Sequence, residues 1–274
     1  MKCKICGSND TIQLKKIRSP YYKNKCYILY SCNNCSSRFF DLEQYDVSIN
    51  ELYERLAKNK KENLFKFIKN PYWERQKKII IKLFGKKPSS ILDIGCRTGN
   101  FLMHFHEEIK KEGIEISKHS ANIAKKRGLK VYNDSLENVE FYEKYDIIAA
   151  FAILEHLKNP FKFLEKINSL INKGGIFTIL IPSHECLKEK LLNIRWHMYS
   201  PPEHLNFFSR KFLDSYLNQK GFILVKRFFT TGGMVKPFRY RRINSLSRKF
   251  LDSLIFNKIP IFDHMYSYYK KIID

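Results

Sequence analysis

Long apolar runs are missing from this chain. The longest is eight residues, 147–154, against the roughly 20 that a bilayer-spanning helix needs. No basic-then-apolar leader opens the sequence, so the expectation is a soluble, cytoplasmic protein. Acidic residues are also scarce, with 27 Asp and Glu against 50 Lys and Arg and a net charge of +23. Glycine and proline number only 11 and 9 in 274 residues, too few for a low-complexity chain. At 44% hydrophobic and 28% charged, the composition excludes disorder as the dominant state and supports one main core with a small appendage.

The positive excess belongs to no single segment: it is +5 over residues 1–45, +7 over 46–90, +5 over 91–235 and +6 over 236–274. Lysine supplies 37 of the basic residues and arginine 13, beside 20 asparagines. That pattern is what A- and T-rich codons produce, whereas specific phosphate and base recognition leans on arginine. Nucleic acid is therefore a partner that the charge permits without favouring.

Four of the seven cysteines form two pairs, Cys3-x2-Cys6 and Cys32-x2-Cys35. This spacing suits a tetrahedral thiolate site for Zn2+, with Gly7 giving the backbone freedom that a tight knuckle needs. Residues 12–14, Tyr27 and Leu29, and 31–40 supply the short strands of a zinc ribbon over residues 1–45. Four thiolates leave no open coordination position, so the metal is expected to be structural. Cys26 stands outside the pattern and is expected to be a small buried apolar residue.

Residues 46–88 form a helical linker, with apolar positions at Leu52, Leu56, Leu64, Phe67, Ile68, Ile79, Ile80, Leu83 and Phe84 and a break at Pro71. Tyr72 and Trp73 are expected to pack. From residue 89 to 235, short apolar runs alternate with amphipathic segments: strands at 91–94, 113–116, 130–132, 146–150 and 176–181, and helices from Asn100, at 118–127 and at 160–171. Such alternation means crossover units on a parallel sheet, with ligands beyond the carboxyl ends of the strands.

The first of those ends reads ILDIGCRTGNFL, residues 91–102, a buried strand running into a glycine-bearing turn, and Glu115 follows Gly95 by 20 residues. A nicotinamide turn would want G-x-G-x-x-G. Here the spacing is G-x-x-x-G, which disfavours a dinucleotide. These residues resemble the class I S-adenosylmethionine-dependent methyltransferases, whose first motif is similar to LDIGCRTG. GIEIS at 113–117, NDSL at 133–136, YDIIAAFAILEHLKNP at 145–160, LINKGGIFTILIP at 170–182 and PPEHLNFFS at 201–209 extend the resemblance over residues 75–230. The fold it implies is α/β, a Rossmann-like seven-stranded doubly wound sheet.

The resemblance implies roles as well. Asp93, Gly95 and Gly99 would shape the turn at the methionyl part of S-adenosyl-L-methionine, and Glu115 would take the ribose. Asp134, Ser135 and Leu136 would edge the adenine, and Phe151 would close the fourth strand against the cofactor. Arg97 departs from the pattern, because the family usually has glycine there, and a side chain at that point implies crowding or a strained positive φ. Methyl transfer needs alignment and, for a protic acceptor, a base. His156 and His204 are the candidates, against the plainer possibility that each braces a loop through the backbone. Trp196 and Tyr199 could wall an acceptor pocket, a reading that the sequence alone does not favour.

Residues 236–274 read as a basic amphipathic extension with a helical series at Leu246, Phe250, Leu251, Leu254 and Ile255. It would pack over the sheet, join a second copy or touch an anionic membrane surface. The expected activity is O- or C-methylation of a small molecule or a sugar or glycan precursor. The alternatives are an RNA-base methyltransferase and a catalytically silent binding module. An amino-methylating base enzyme is disfavoured, because residues 151–155 read FAILE where such enzymes carry Asn/Asp-Pro-Pro-aromatic.

Overall fold

The computed structural model describes residues 1–22, 24–41, 54, 70–230 and 262–273. The linker helix expected around Leu52 to Ile68 and the tail series from Leu246 to Ile255 lie outside the described residues.

The chain opens with three antiparallel strands, β1 (Thr11–Arg18), β2 (Cys26–Cys32) and β3 (Arg38–Phe40). Helix α1 (Pro71–Phe84) starts on an Asn70 cap with proline at its first position, and ends at Gly85, whose φ is 87°. The main sheet follows: β4 (Ser90–Ile94), β5 (Lys110–Ile114), α2 (Lys118–Lys126), β6 (Lys130–Tyr132), β7 (Tyr145–Phe151), α3 (Pro160–Leu170) and β8 (Ile171–Pro182). Then come α4 (Leu187–Leu192), β9 (Asn206–Phe207), α5 (Arg210–Gln219), β10 (Phe222–Thr230) and β11 (His264–Lys271).

Seven strands lie in the order β10-β11-β8-β7-β4-β5-β6. Strands β4 to β8 are parallel, and β11 runs antiparallel to both neighbours. The central strands are buried apolar runs: Ile91, Leu92, Ile147, Ile148, Ala149, Ala150, Ile176 and Phe177 are all fully enclosed. A strand covered on both faces reads in this way. The fold is therefore the α/β seven-stranded sheet expected from the alternation.

Three features differ from expectation. The sheet domain does not end at residue 235, because β11 is inserted between β8 and β10. Its Met265, Tyr266, Ser267, Tyr268 and Tyr269 are buried, so residues 264–271 belong to the core and not to a separate extension. The helix expected from Asn100 is absent, and one turn of 3-10 helix, Leu102–His104, stands there. Phe101, Leu102, His104 and Phe105 are all buried, which leaves residues 101–105 no solvent face for an amphipathic helix. The ribbon boundary at residue 45 is also crossed: β9 completes the small sheet as β1-β2-β3-β9, and Cys3, Ile5, Cys35 and Phe39 share one core with Phe208 and Leu213.

Candidate active site

At the carboxyl end of β4 the backbone turns sharply: φ is 73° at Gly95, 50° at Arg97 and 77° at Gly99. A Cβ on Gly95 would run into the Ile153 side chain and one on Gly99 into that of Leu129. Both positions thus require glycine for φ and for space. Arg97 carries the strain expected of it, a non-glycine residue in the left-handed region. Its contribution to the turn is made by the backbone, since the Arg97 N–H donates to Glu115 Oε2 at 2.9 Å. The Ser117 N–H donates to Glu115 Oε1 at 2.8 Å.

Glu115 is therefore held from both sides, and each carboxylate oxygen retains a second accepting direction. Burial pushes its carboxyl above the usual range, against the opposing pull of the two N–H bonds. Asp93, 3% exposed, is pushed well above its ordinary value by burial first and the Glu115 charge second. In register, Asp93 lies opposite Gly113 on β5, which sets Asp93 and the turn after it beside the end of β5 that leads to Glu115.

An open polar cleft flanks this end of the sheet, lined by Ile116, Ser117, Asn133, Asp134, Ser135 and Asn138, with Glu54 at its rim. Asp134 Oδ1 accepts from the Ser135 N–H at 2.7 Å and from Asn138 Nδ2 at 2.8 Å, and Leu136 is buried beneath. Asn133 ties the two strand ends together, with Nδ2 donating to the Glu115 carbonyl at 2.7 Å. Glu54 Oε1 accepts from the Lys118 N–H at 2.7 Å, at the start of α2. Phe151 lies at the end of β7, its ring 5.3 Å from Trp73, 5.0 Å from Phe101 and 5.7 Å from Tyr266.

Beyond β7 the chain makes a tight turn, with Ala152 at φ 55°, that carries Glu155 and His156. Residues 203–206 lie along it: the Leu205 N–H donates to the Glu155 carbonyl at 2.7 Å, and Asn206 Nδ2 to the Leu157 carbonyl at 2.7 Å. This places the His156 and His204 rings 4.9 Å apart. Each is braced by the backbone, His156 Nδ1 on the Glu203 carbonyl at 2.7 Å and His204 Nδ1 on the Met198 carbonyl at 2.8 Å. Burial, then the neighbouring His204, pushes His156 down to about 3, and burial lowers His204 as well. Burial first, with the Glu203 charge adding, pushes Glu155 up to about 8.

Trp196 and Tyr199 do not line an acceptor pocket. Both are buried in the seam between the small sheet and the domain, with Tyr27, Leu29, Phe40 and Phe207. Trp196 Nε1 donates to Asp263 Oδ1 at 2.7 Å, and the Tyr199 hydroxyl meets Glu189 at 3.0 Å. A buried aromatic with a satisfied polar tip is a packing element.

The four cysteines of the two pairs do converge. Their sulfurs lie within 4.8 Å of one another, with Cys3 and Cys35 at 3.8 Å and Cys6 and Cys32 at 3.5 Å. Sulfurs about 2.3 Å from a tetrahedral ion stand about 3.8 Å apart, so the donor set fits Zn2+. The knuckles match each other: Gly7 and Ser36 both follow the second cysteine, with φ of 76° and 57°. Their N–H groups return to the Cys3 and Cys32 carbonyls at 3.0 and 2.9 Å. Cys26 is only partly buried and stands apart from the cluster.

Sequence reasoning left Asn133, Ile153 and Glu155 without roles although all three lie in or beside the motifs. It had no signal for Glu54, or for the bond from the Tyr21 hydroxyl to Glu203, whose partners are 182 residues apart.

Residues 35–227 match the methyltransferase-domain family. An uncharacterized protein of Methanocaldococcus jannaschii is 32% identical over 136 residues, 49% of this chain and 65% of that one. A ubiquinone biosynthesis O-methyltransferase of Proteus mirabilis is 28% identical over 103 residues, 34% of this chain and 40% of that one. The chain thus spans less than two thirds of the length of these relatives. The N-methyltransferase NodS of Bradyrhizobium japonicum, solved with S-adenosyl-L-homocysteine, shares the fold at a TM-score of 0.53 and 11% identity, over 82% of this chain and 99% of that one. With its strand order, its glycine turn and a match over more than half its length, the chain belongs to the methyltransferase-domain family.

Proposed function

We propose that this chain transfers the methyl group of S-adenosyl-L-methionine to a small molecule or a sugar or glycan precursor, at oxygen or carbon. The observation that carries the reading is Glu115, a buried carboxylate fixed by the Arg97 and Ser117 N–H groups, next in sequence to Ile116 and Ser117, which line the polar cleft. A ribose presents two hydroxyls that such a group accepts. The residues fit the cofactor along its length: Gly95 and Gly99 make room for its amino-acid end, and Asp134, Ser135 and Leu136 edge the adenine. Phe151 and Asp93 support the turn from below. When bound, S-adenosyl-L-methionine supplies a methyl already activated on sulfonium.

The chain's own part is alignment. His156 and His204 mark the acceptor side, each braced through Nδ1 on a backbone carbonyl, of Glu203 and of Met198, and they are the candidates to take a proton from a protic acceptor. The four thiolates hold a structural Zn2+, and the module they fold braces the acceptor side through β3 and β9.

Calorimetric titration of nucleic-acid-free protein with S-adenosyl-L-methionine and S-adenosyl-L-homocysteine, at two salt concentrations, tests the proposal. Wild type is expected to bind both, and Glu115→Ala to lose about two orders of magnitude, as befits about 3 kcal/mol of hydrogen bonds to a charged group. Absence of heat in the wild type, or an undiminished variant, would overturn it.

A further inference from the structure

We propose that the first turn of α1, the end of β7 and the start of β11 form the binding face for the methyl acceptor, with Trp73 and Phe151 as an aromatic wall and His264 as its polar anchor, and that this face takes a flat aromatic ring carrying a hydroxyl. That the bound ring is a methyl acceptor rests on the methyl-transfer reading above, whereas the wall and its anchor stand on geometry.

The wall borders the glycine turn. Phe101 follows Gly99 by two residues, and the Trp73 ring lies 5.2 Å from the Phe101 ring and 5.3 Å from that of Phe151. Ile153, two residues beyond Phe151, is the side chain that a Cβ on Gly95 would strike. The wall is also pinned in place: the Asn70 N–H at the cap of α1 donates to His104 Nε2 at 3.0 Å, and His104 Nδ1 donates to the Asn100 carbonyl at 2.8 Å. On the other side the Tyr72 and Tyr266 hydroxyls bond to each other. Tyr72 and Trp73 pack, as expected, yet both they and Phe151 keep part of their surface open, at the carboxyl ends of the strands where ligands on such sheets lie.

The register of three strands sets the anchor above the wall. Phe151 and Tyr266 both pair with Leu180 on β8, and their rings are 5.7 Å apart. His264 precedes Tyr266 by two residues and pairs with Pro182. It therefore stands on the same face of β11 as Tyr266, about 7 Å further toward the carboxyl ends of the parallel strands. One six-membered ring and a hydrogen bond from its substituent cover that span.

His264 supplies the independent observation. Its ring is partly exposed, while Nδ1 is enclosed and has no hydrogen-bond partner among the described residues. An enclosed polar atom left unpaired calls for a partner from outside the chain. Burial pushes His264 down to about 4, so the ring is neutral near pH 7 and carries one N–H and one lone pair. A hydroxyl, which both donates and accepts, answers either. His204 and His197 are among the groups whose charge His264 feels, so the anchor stands on the side of the sheet where His156 and His204 meet.

The composition of the face selects among acceptors. Aromatic side chains stack on, or meet edge to face, a flat conjugated ring. A pyranose would bring several hydroxyls, and Trp73, Phe101 and Phe151 offer one indole N–H between them. Each hydroxyl taken from water without a partner is costly. The face therefore narrows the proposed acceptor from the sugar branch to a phenol-like small molecule.

The test titrates the full chain with 4-methylphenol, with and without S-adenosyl-L-homocysteine, by calorimetry and tryptophan fluorescence. The chain has two tryptophans and Trp196 is buried, so quenching by a ring stacked on the wall reports on Trp73. Wild type is expected to bind 4-methylphenol with quenching, and methyl β-D-glucopyranoside to give neither heat nor quenching. His264→Phe, which keeps a ring and removes its nitrogens, should weaken 4-methylphenol about tenfold, and Trp73→Leu about fivefold. Both variants should keep the wild-type melting temperature and S-adenosyl-L-homocysteine affinity. Failure of the wild type to bind S-adenosyl-L-homocysteine counts against the methyl-transfer reading alone, since the titration without it still reads the wall. No binding of 4-methylphenol to the wild type, an affinity unchanged in both folded variants, or the pyranoside bound in its place would overturn the proposal.

Discussion

The proposed donor end and the proposed acceptor end of the site are assembled over different distances in the chain. At the donor end, Glu115 meets Arg97 18 residues away and Ser117 two residues away, and Asn133 reaches back 18 residues to the Glu115 carbonyl. At the acceptor end, Tyr21 reaches Glu203 across 182 residues, Arg38 reaches Glu189 across 151, and the Ser209 hydroxyl reaches the Cys35 carbonyl across 174. The first set is fixed by strand, turn and strand. The second exists only once the N-terminal module has folded onto the domain, so damage to that module should be felt at the acceptor end first.

The largest effect is expected from Cys35→Ser. Structural zinc contributes on the order of 10 kcal/mol to such modules, and Cys35 also offers its carbonyl to Ser209. Limited proteolysis should find new cleavage in residues 1–41 and 196–209 before any in 90–135. Simultaneous cleavage of both regions would erase the distinction between the two ends.

Gly99→Val breaks the donor end instead. A β-branched residue at φ 77° against Leu129 combines left-handed strain with overpacking, about 3 kcal/mol, readable as a lower urea midpoint with loss of cofactor binding.

Acid should act through the seam. Burial pushes His184 down to about 4, with Arg38 second among the causes, and its Nε2 donates to the Ser36 carbonyl at 3.0 Å. A histidine with a depressed folded value contributes fully above its unfolded value of about 6.5. That contribution is lost as pH falls toward 4, by up to about 3 kcal/mol. Urea unfolding at pH 7 and pH 5 should show a smaller acid loss in His184→Gln, which keeps a donor for Ser36, than in wild type.

Ser209→Ala removes the cap of α5, where Oγ accepts from the Phe212 N–H at 3.2 Å, and the bond to Cys35. About 1–2 kcal/mol of stability should go. The smallest effect is Arg97→Gly: with the turn's N–H retained and the strain at φ 50° relieved, the unfolding free energy from urea titration should rise by about 1 kcal/mol, and cofactor binding should be kept.

This contrast also explains what was legible in the sequence. LDIGCRTG, GIEIS and NDSL are contiguous, and in each the residue types dictate the backbone: glycine where φ is positive, an acid two residues before the Ser117 cap that starts α2. The cysteine pairs are legible for the same reason, each knuckle being local. Strand β11 is not, since HMYSYYKK has tyrosines on both faces and becomes a strand only because β8 and β10 leave a slot between them. The seam that Trp196 and Tyr199 fill is not legible either, because their partners, Asp263, Glu189 and Arg38, lie outside the local motif. Glu155 has a motif position but no legible role, because the contact that fixes its place, the Leu205 N–H on its carbonyl, comes from 50 residues further along the chain.

Hydrogen exchange of the full chain with and without S-adenosyl-L-homocysteine tests the central claim most directly. The account predicts slowed exchange at amides 95–99, 113–118 and 133–138, including those of Arg97 and Ser117, with little change in residues 1–41. Protection concentrated elsewhere, or none at Arg97 and Ser117, would contradict it.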